Sequence, residues 1–173
     1  MKITALEPIT LSVNHRGDWI IVQIHTDAGI TGWGEASHSS NDTLVLATLA
    51  DLANRLIGQD PRQIGRLWQS MVNRNGGRVL YTAISAIEQA LWDILGQSLG
   101  VPVHMLLGGA LRDRIRLYAN INRHVTDRSP AGFARAARQA ADEGYTAIKL
   151  APFDEVRGPA HPHTGTHACL LYT

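Results

Sequence analysis

The chain has 173 residues, enough for one ordinary hydrophobic core or for one domain and part of another. Hydrophobic residues make up 45% and charged residues 18%, which excludes a disordered or fibrous protein. A net charge of +1 gives no field for nucleic acid, and no apolar run approaches the roughly 20 residues of a membrane span. The N-terminus has no signal-peptide pattern, and Cys169 is the only cysteine, so no intramolecular disulfide can form. We therefore expect a cytoplasmic protein with neither nucleic acid nor a membrane as its partner.

The start of the chain predicts a three-stranded antiparallel meander. β-Branched and aromatic residues mark strands at 3–13, 19–25 and 30–36, and two polar turns separate them. Gly32 and Gly34 in the third strand carry no side chain, so they allow another backbone to come close to it.

Three helices are predicted to follow. Asn41 or Asp42 can cap the first helix, which a stripe of apolar residues extends to about Ile57. The run Asp60-Pro61-Arg62-Gln63 has the pattern of a capping box and predicts that the second helix begins there. A sheet with three helices against it is an α+β domain, and we place that domain at residues 1–110.

The third helix is the element around which the chain is arranged. From Ala83 to Leu95 the apolar residues recur at three- and four-residue steps, which indicates a broad apolar face for close packing. Gly100 can take the left-handed conformation that ends a helix, and Pro102 prevents the helix from resuming. Glu88 and Asp93 interrupt the apolar pattern. Each of them either has a fixed partner or is exposed to solvent.

The pattern of elements changes after Gly109. Residues 114–119 alternate as a strand does, Ser129-Pro130 opens a helix that Gly144 stops, and residues 145–150 form a second strand. Strand, helix and strand in this order are a βαβ unit, whose two strands lie parallel.

Two stretches of the chain resemble the mandelate racemase/muconate lactonizing enzyme family of the enolase superfamily. One is Ala83-x-Ser85-Ala86-Ile87-Glu88-x-Ala90-Leu91-x-Asp93-Ile94-x-Gly96-Gln97, followed by Pro102-Val103 and Leu106-Leu107-Gly108. The other is Thr26-Asp27-Ala28-Gly29-Ile30-Thr31-Gly32-Trp33-Gly34-Glu35-Ala36. The resemblance implies an enolase-like N-terminal capping domain at residues 1–110, followed at 111–158 by the first βαβ unit of a truncated β/α barrel.

The resemblance also implies a chemistry for the full-length parent. The family removes the proton α to a carboxylate and stabilises the resulting enediolate on Mg²⁺. Its three acidic metal ligands end the third, fourth and fifth barrel strands, and a whole barrel needs about 200 residues or more. We therefore expect Mg²⁺ in the parent and none in this fragment, which we expect to be inactive. The parent is expected to be a homo-oligomer that acts on a small-molecule carboxylate, a sugar acid.

Site residues are implied in the same way. The family's second barrel strand ends in Lys-x-Lys; here Lys149 matches the first lysine and Ala151 replaces the second. Lys149 is therefore the predicted catalytic residue. The loss at Ala151 disfavours racemisation, which needs a base on each face of the carbon. The substrate-binding candidates lie in two capping-domain loops and at the end of the first barrel strand: His15, Arg16, His38, Asn120 and Asn122. Each candidate is alternatively an ordinary polar surface residue.

Residues 159–173 show no periodicity. The last five, Cys169 to Thr173, are what TGT CTC TTA TAC ACA encodes, which looks like a transposase end sequence used in preparing sequencing libraries. His161, His163 and His167 lie close together, but the segment offers no structural frame for metal ligands. We therefore predict that this segment is a non-native tail.

These features together predict an N-terminal fragment of a Mg-dependent acid-sugar dehydratase of the mandelate racemase type. A racemase or cycloisomerase of the same superfamily is the alternative activity of the parent. A non-catalytic, stand-alone interaction module is the alternative of a different class. The exposed edges of parallel strands disfavour that module, because unpaired backbone groups invite aggregation.

Overall fold

The computed structural model describes residues 1–14, 17–38, 41–73, 75–122, 125–151 and 170–172. Most of the segment predicted as a tail, and both residues of the predicted His15-Arg16 site, lie outside these ranges. Contacts divide the chain into two units, Met1–Leu111 and Arg112–Thr173. Within the described ranges, no helix is long and apolar enough to cross a membrane.

The first unit begins with an antiparallel sheet in the order β1-β2-β3. Its strands are β1 (Ile3–Asn14), β2 (Gly17–Thr26) and β3 (Thr31–Glu35). Ile20, Val22 and Ile24 alternate along β2 and are completely buried, so one face of the sheet is part of the core. The predicted three-stranded meander is confirmed.

Four helices follow the sheet. They are α1 (Asp42–Leu56), α2 (Ile64–Met71), α3 (Gly77–Leu99) and the short α4 (Val103–Leu106). α1 and α3 pack against the buried face of the sheet, and α2 and α4 pack against α3. The end of α1 is close to the predicted Ile57. The end of α3 is the predicted one, because Gly100 has the left-handed φ of 69° that closes the helix.

The second helix begins later than the capping-box pattern predicts, and that prediction is wrong. Residues 60–63 form a turn instead, in which Asp60 Oδ1 accepts a 3.0 Å hydrogen bond from the backbone N–H of Arg62. The Arg62 guanidinium also donates to Asp60 Oδ2 at 2.7 Å. These bonds, the side-chain ones first, lower the pKa of Asp60 to about 2. The carboxylate that would cap a helix is therefore hydrogen-bonded to Arg62 instead.

The centre of the first unit is the contact between α3 and β3. A Cβ atom on Gly34 would lie 2.0 Å from the carbonyl oxygen of Ala86, and one on Gly32 would lie 2.1 Å from that of Ala90. Real Cβ atoms cannot approach so closely, so only glycine allows this strand to lie directly on the helix backbone. The close approach predicted from the two glycines is present.

Side chains of α3 also complete the open edge of β3. The backbone N–H of Trp33 donates to Asp93 Oδ2 at 3.0 Å, and that of Glu35 donates to Gln89 Oε1 at 3.1 Å. Asp93 therefore has a fixed partner, which was one of the two alternatives that the sequence left open. Glu88 accepts a longer bond of 3.4 Å from an indole N–H of the same helix.

The second unit contains a small parallel pair of strands covered by a helix. Its elements are β4 (Ala119–Asn120), α5 (Pro130–Asp142), β5 (Ile148–Leu150) and β6 (Leu170–Tyr172). β4 runs parallel to β5, as the βαβ prediction requires. Ile121, Phe133 and Ala140 form a small core with partly buried side chains of β5. The predicted capping domain followed by the start of a β/α barrel is confirmed as the fold class.

Two details of the second unit depart from the expectations. β4 is much shorter than the predicted strand at 114–119, and Leu117 is 68% exposed. A ladder extends only as far as both strands do, and Ala119 already stands opposite Ile148, the first residue of β5. In addition, β6 pairs antiparallel with β5, inside the segment predicted to be a non-native tail. The origin of that segment stays a prediction.

Candidate functional site

Lys149 is the middle residue of β5 and is half-buried. Its neighbours Ile148 and Leu150 pack against the core cluster that contains Phe133 of α5. Because side chains alternate along a strand, Lys149 belongs to the opposite face of the sheet. In a β/α barrel the helices cover the outside, so the face away from α5 corresponds to the barrel interior. Lys149 is thus on the face, and near the strand end, where such barrels carry their chemistry.

The two asparagines stand at the end of β4. Asn120 is directly opposite Lys149 in the parallel register, so these two residues share a face. Asn120 Oδ1 accepts a 3.3 Å bond from the N–H of Asn122. Asn122 Oδ1 in turn accepts a 3.2 Å bond from the N–H of Ala151. Asn120 is therefore close in register to the predicted catalytic lysine, whereas the Asn122 side chain is used within the protein.

Arg128 is a residue of this region that the sequence reasoning missed. Its guanidinium donates to the backbone oxygen of Asn122 at 2.8 Å and to that of Ala151 at 2.9 Å. It also lies 5.0 Å from the centre of the Phe133 ring, a cation–π contact. A single arginine in a polar loop has no periodic signal, and its distance to position 151 depends on the folded unit. No sequence pattern indicated this contact.

His38 follows β3 in the first unit and is only 6% exposed. Its Nδ1 lies 3.2 Å from the Nδ2 amide of Asn41. Which of the two groups donates in this bond depends on the tautomer of the imidazole. The Nε2 atom of His38 is buried and has no hydrogen-bond partner within the part of the chain that the structure describes. Leaving a buried polar atom unsatisfied costs about 1–3 kcal/mol, so Nε2 would be stabilised by a partner that the described residues do not supply.

The predicted site residues are therefore distributed over both units. Lys149, Asn120 and Asn122 lie together in the second unit, and His38 lies in the first. His15 and Arg16 fall outside the described residues. Their proposed roles in substrate binding stay predictions.

A magnesium site would need several oxygen ligands, chiefly carboxylates. Among the residues that the structure describes, no group of three or more His, Cys, Asp or Glu is arranged to hold a metal ion. Glu143, at the end of α5, accepts a 2.8 Å hydrogen bond from Gln139. The described residues thus do not by themselves fit a Mg²⁺ site, and the expectation that this fragment binds none stays a prediction.

Comparison with known sequences identifies relatives of the chain. Residues 2–108 match the family model described as mandelate racemase / muconate lactonizing enzyme, N-terminal domain. A D-galactonate dehydratase from Verminephrobacter eiseniae (strain EF01-2) is 43% identical over 159 residues. That match covers 90% of this chain and 40% of the relative, so this chain spans well under half of the relative's length.

Solved structures show the same likeness. A crystal structure of a candidate dehydratase from Mesorhizobium loti is 44% identical with a TM-score of 0.79, covering 87% of this chain and 41% of that one. An enolase from Pantoea ananatis, solved with bound d-gluconate and Mg, is 34% identical with a TM-score of 0.72. That likeness covers 85% of this chain and 35% of the other.

Proposed function

Because the chain belongs to the mandelate racemase/muconate lactonizing enzyme family, we propose that it is the N-terminal part of a Mg-dependent acid-sugar dehydratase. The observation that carries this proposal is the 43% identity to a D-galactonate dehydratase over 90% of the chain. The d-gluconate bound to the relative from Pantoea ananatis supports a polyhydroxy carboxylate as the substrate class. The dehydration removes the α-proton and expels the β-hydroxyl as water, and the resulting enol becomes a 2-keto-3-deoxy acid.

Lys149 is the proposed catalytic residue of this chain. Its position on the face away from α5 supports a role in which the amine accepts the α-proton or binds the substrate carboxylate. Ala151, two positions after Lys149 and one residue beyond β5, has no group that could act as a second base. Dehydration needs a base on only one face of the α-carbon, whereas racemisation needs one on each. The pair Lys149 and Ala151 therefore favours a dehydratase over the runner-up, a racemase.

His38 and Asn120 are the proposed substrate contacts that the structure describes. The buried Nε2 of His38 is suited to form a hydrogen bond with a substrate hydroxyl. Asn120 shares the face of Lys149 and offers a carboxamide to the same substrate. His15, Arg16 and Asn122 complete the proposed set, although Asn122 already accepts bonds within the protein.

The test compares the complete parent, expressed from its full coding sequence, with the 173-residue chain. Both are incubated with Mg²⁺ and D-galactonate, D-gluconate or galactarate, and the 2-keto-3-deoxy product is measured. The parent is expected to dehydrate at least one sugar acid and to lose that activity in EDTA. The fragment is expected to turn over none. A parent that only interconverts epimers, or forms no product from any sugar acid, would contradict the proposal.

We further propose the domain limits 1–110 and 111–158, a non-native segment at 159–173, and a cytoplasmic, homo-oligomeric parent that binds neither nucleic acid nor membrane. Sequencing the gene across the codon for Pro159 tests the proposal for the tail. A genomic sequence that encodes the segment and then a stop codon would contradict it.

A further inference from the structure

We propose that Arg128 is a positioning residue for Lys149: its guanidinium holds the C-terminal end of β5 on the end of β4. The role of Lys149 in catalysis belongs to the proposed function, on which this inference rests. The holding of the strand end can be measured without any activity.

The backbone ladder between the two strands is short. The N–H of Ala119 donates to the oxygen of Ala147 at 3.0 Å, and that of Ile121 donates to the oxygen of Lys149 at 3.1 Å. The N–H of Ala151, the first residue after β5, bonds instead to the side-chain Oδ1 of Asn122 at 3.2 Å. Directly beyond Lys149, the contact between the two strand ends therefore depends on the Asn122 side chain and on the group that orients it.

Arg128 orients that side chain and also binds the other strand. Its Nη2 donates to Asn122 Oδ1 at 3.0 Å and to the oxygen of Ala151 at 2.9 Å, while Nη1 donates to the oxygen of Asn122 at 2.8 Å. One planar group thus joins acceptors at the ends of both strands, which a lysine ammonium cannot reproduce in the same geometry. The Phe133 ring beneath the guanidinium connects this clamp to α5.

The clamp acts on Lys149 because β5 is only three residues long and Lys149 is its middle residue. Both backbone polar groups of Ala151 are bound, its N–H by Asn122 and its oxygen by Arg128. If these bonds are lost, the end of β5 separates from β4 and the half-buried Lys149 side chain gains freedom. Its placement opposite Asn120 is then no longer fixed.

The composition of the chain offers a direct readout, because Lys2 and Lys149 are its only lysines. Limited acetylation followed by peptide mass spectrometry therefore measures Lys149 against Lys2 as an internal reference. In Arg128→Met, Lys149 should be acetylated severalfold faster relative to Lys2. Amide exchange at Ile121 and Ala151 should rise about tenfold, as expected when bonds to a charged group are lost. Arg138→Met, which removes an exposed arginine of α5, is the control for charge and should change neither measurement.

If Arg128 only stabilised the second unit as a whole, its loss would speed amide exchange throughout that unit. The set of residues at which exchange becomes faster therefore distinguishes positioning from general stabilisation. Positioning predicts that amides of α5, such as those near Ala140, keep their exchange rates. It also predicts that Arg128→Lys, which keeps the charge without the fork, does not restore slow acetylation of Lys149. If Arg128→Met does not fold, Asn122→Ala removes one acceptor and should give the same local effect. Unchanged Lys149 labelling, or exchange accelerated equally along α5, would overturn the proposal. An inactive parent would overturn the proposed function and leave this result standing.

Discussion

Replacing Gly34 by alanine tests the packing at the centre of the first unit. The added methyl group would lie 2.0 Å from the oxygen of Ala86 and 2.9 Å from its carbonyl carbon. Ordinary contacts between carbon and oxygen are about 3.3 Å or longer, so β3 would have to withdraw from α3 by more than about 1 Å. Gly34→Ala therefore cannot be accommodated by a side-chain movement, because the obstacle is helix backbone.

Gly34→Ala is expected to lower the free energy of unfolding in two ways. Overpacking of a core usually costs about 1–3 kcal/mol. Withdrawal of β3 also lengthens the bonds from Trp33 to Asp93 and from Glu35 to Gln89, now 3.0 and 3.1 Å, and each is worth about 1 kcal/mol. We therefore expect Gly34→Ala to lower the free energy of unfolding by about 3–5 kcal/mol, a large part of the stability of a typical domain.

Urea unfolding followed by tryptophan fluorescence reports on the first unit alone, because all four tryptophans lie in it. Gly65→Ala is the matched control. Gly65 lies in α2 with nothing within 4 Å of an added Cβ, so alanine there should be neutral or stabilise by up to about 1 kcal/mol. A Gly34→Ala protein with the urea midpoint of the wild type would show that β3 does not lie directly on the backbone of α3.

Further expectations concern a turn, a cap and the two units. The pKa of Asp60 is about 2 when folded, so its stabilisation is present above about pH 4 and is lost as the pH falls through 2. Arg62→Met should flatten this dependence in urea midpoints measured between pH 5 and 2. Ser129 Oγ accepts the N–H of Gly132 at 3.1 Å as an N-cap, so Ser129→Ala should destabilise α5 by about 1 kcal/mol, measured by amide exchange along the helix. Exchange should also be slower near Leu91, which is completely buried, than near Ile148, which packs against the small core of Ile121, Phe133 and Ala140. Equal rates would contradict that expectation.

Features with local causes could be predicted from the sequence. Glycine at position 100 ended α3 because the left-handed conformation is encoded in one residue. The start of α2 could not be predicted. Asp60 can either cap a helix or bind Arg62, and the sequence pattern does not show which of the two it does. The length of β4 could not either, because a strand needs a partner and β5 is short. β6, whose partner strand precedes it by a long stretch of chain, had no sequence signal at all.

The same distinction between local causes and contacts with distant residues applies to the candidate site. Lys149 was found through a resemblance, and its face of β5 then follows from the alternation of side chains along a strand. The sequence around His38 is a polar loop and did not indicate that this side chain is buried. Its buried Nε2, which has no partner among the described residues, is visible only in the folded unit. The clamp of Arg128 on Asn122 and Ala151 joins residues that are distant in the chain, so only the folded unit reveals it.

Replacing Lys149 by methionine in the complete parent shows whether this lysine acts on the substrate of a sugar-acid dehydratase. Methionine keeps most of the stem and removes the amine, so the circular dichroism and the urea midpoint should not change. Turnover should fall about a hundredfold or more, the usual scale for the loss of a general base. A folded Lys149→Met parent that retains near-normal turnover would show that Lys149 does not act on the substrate.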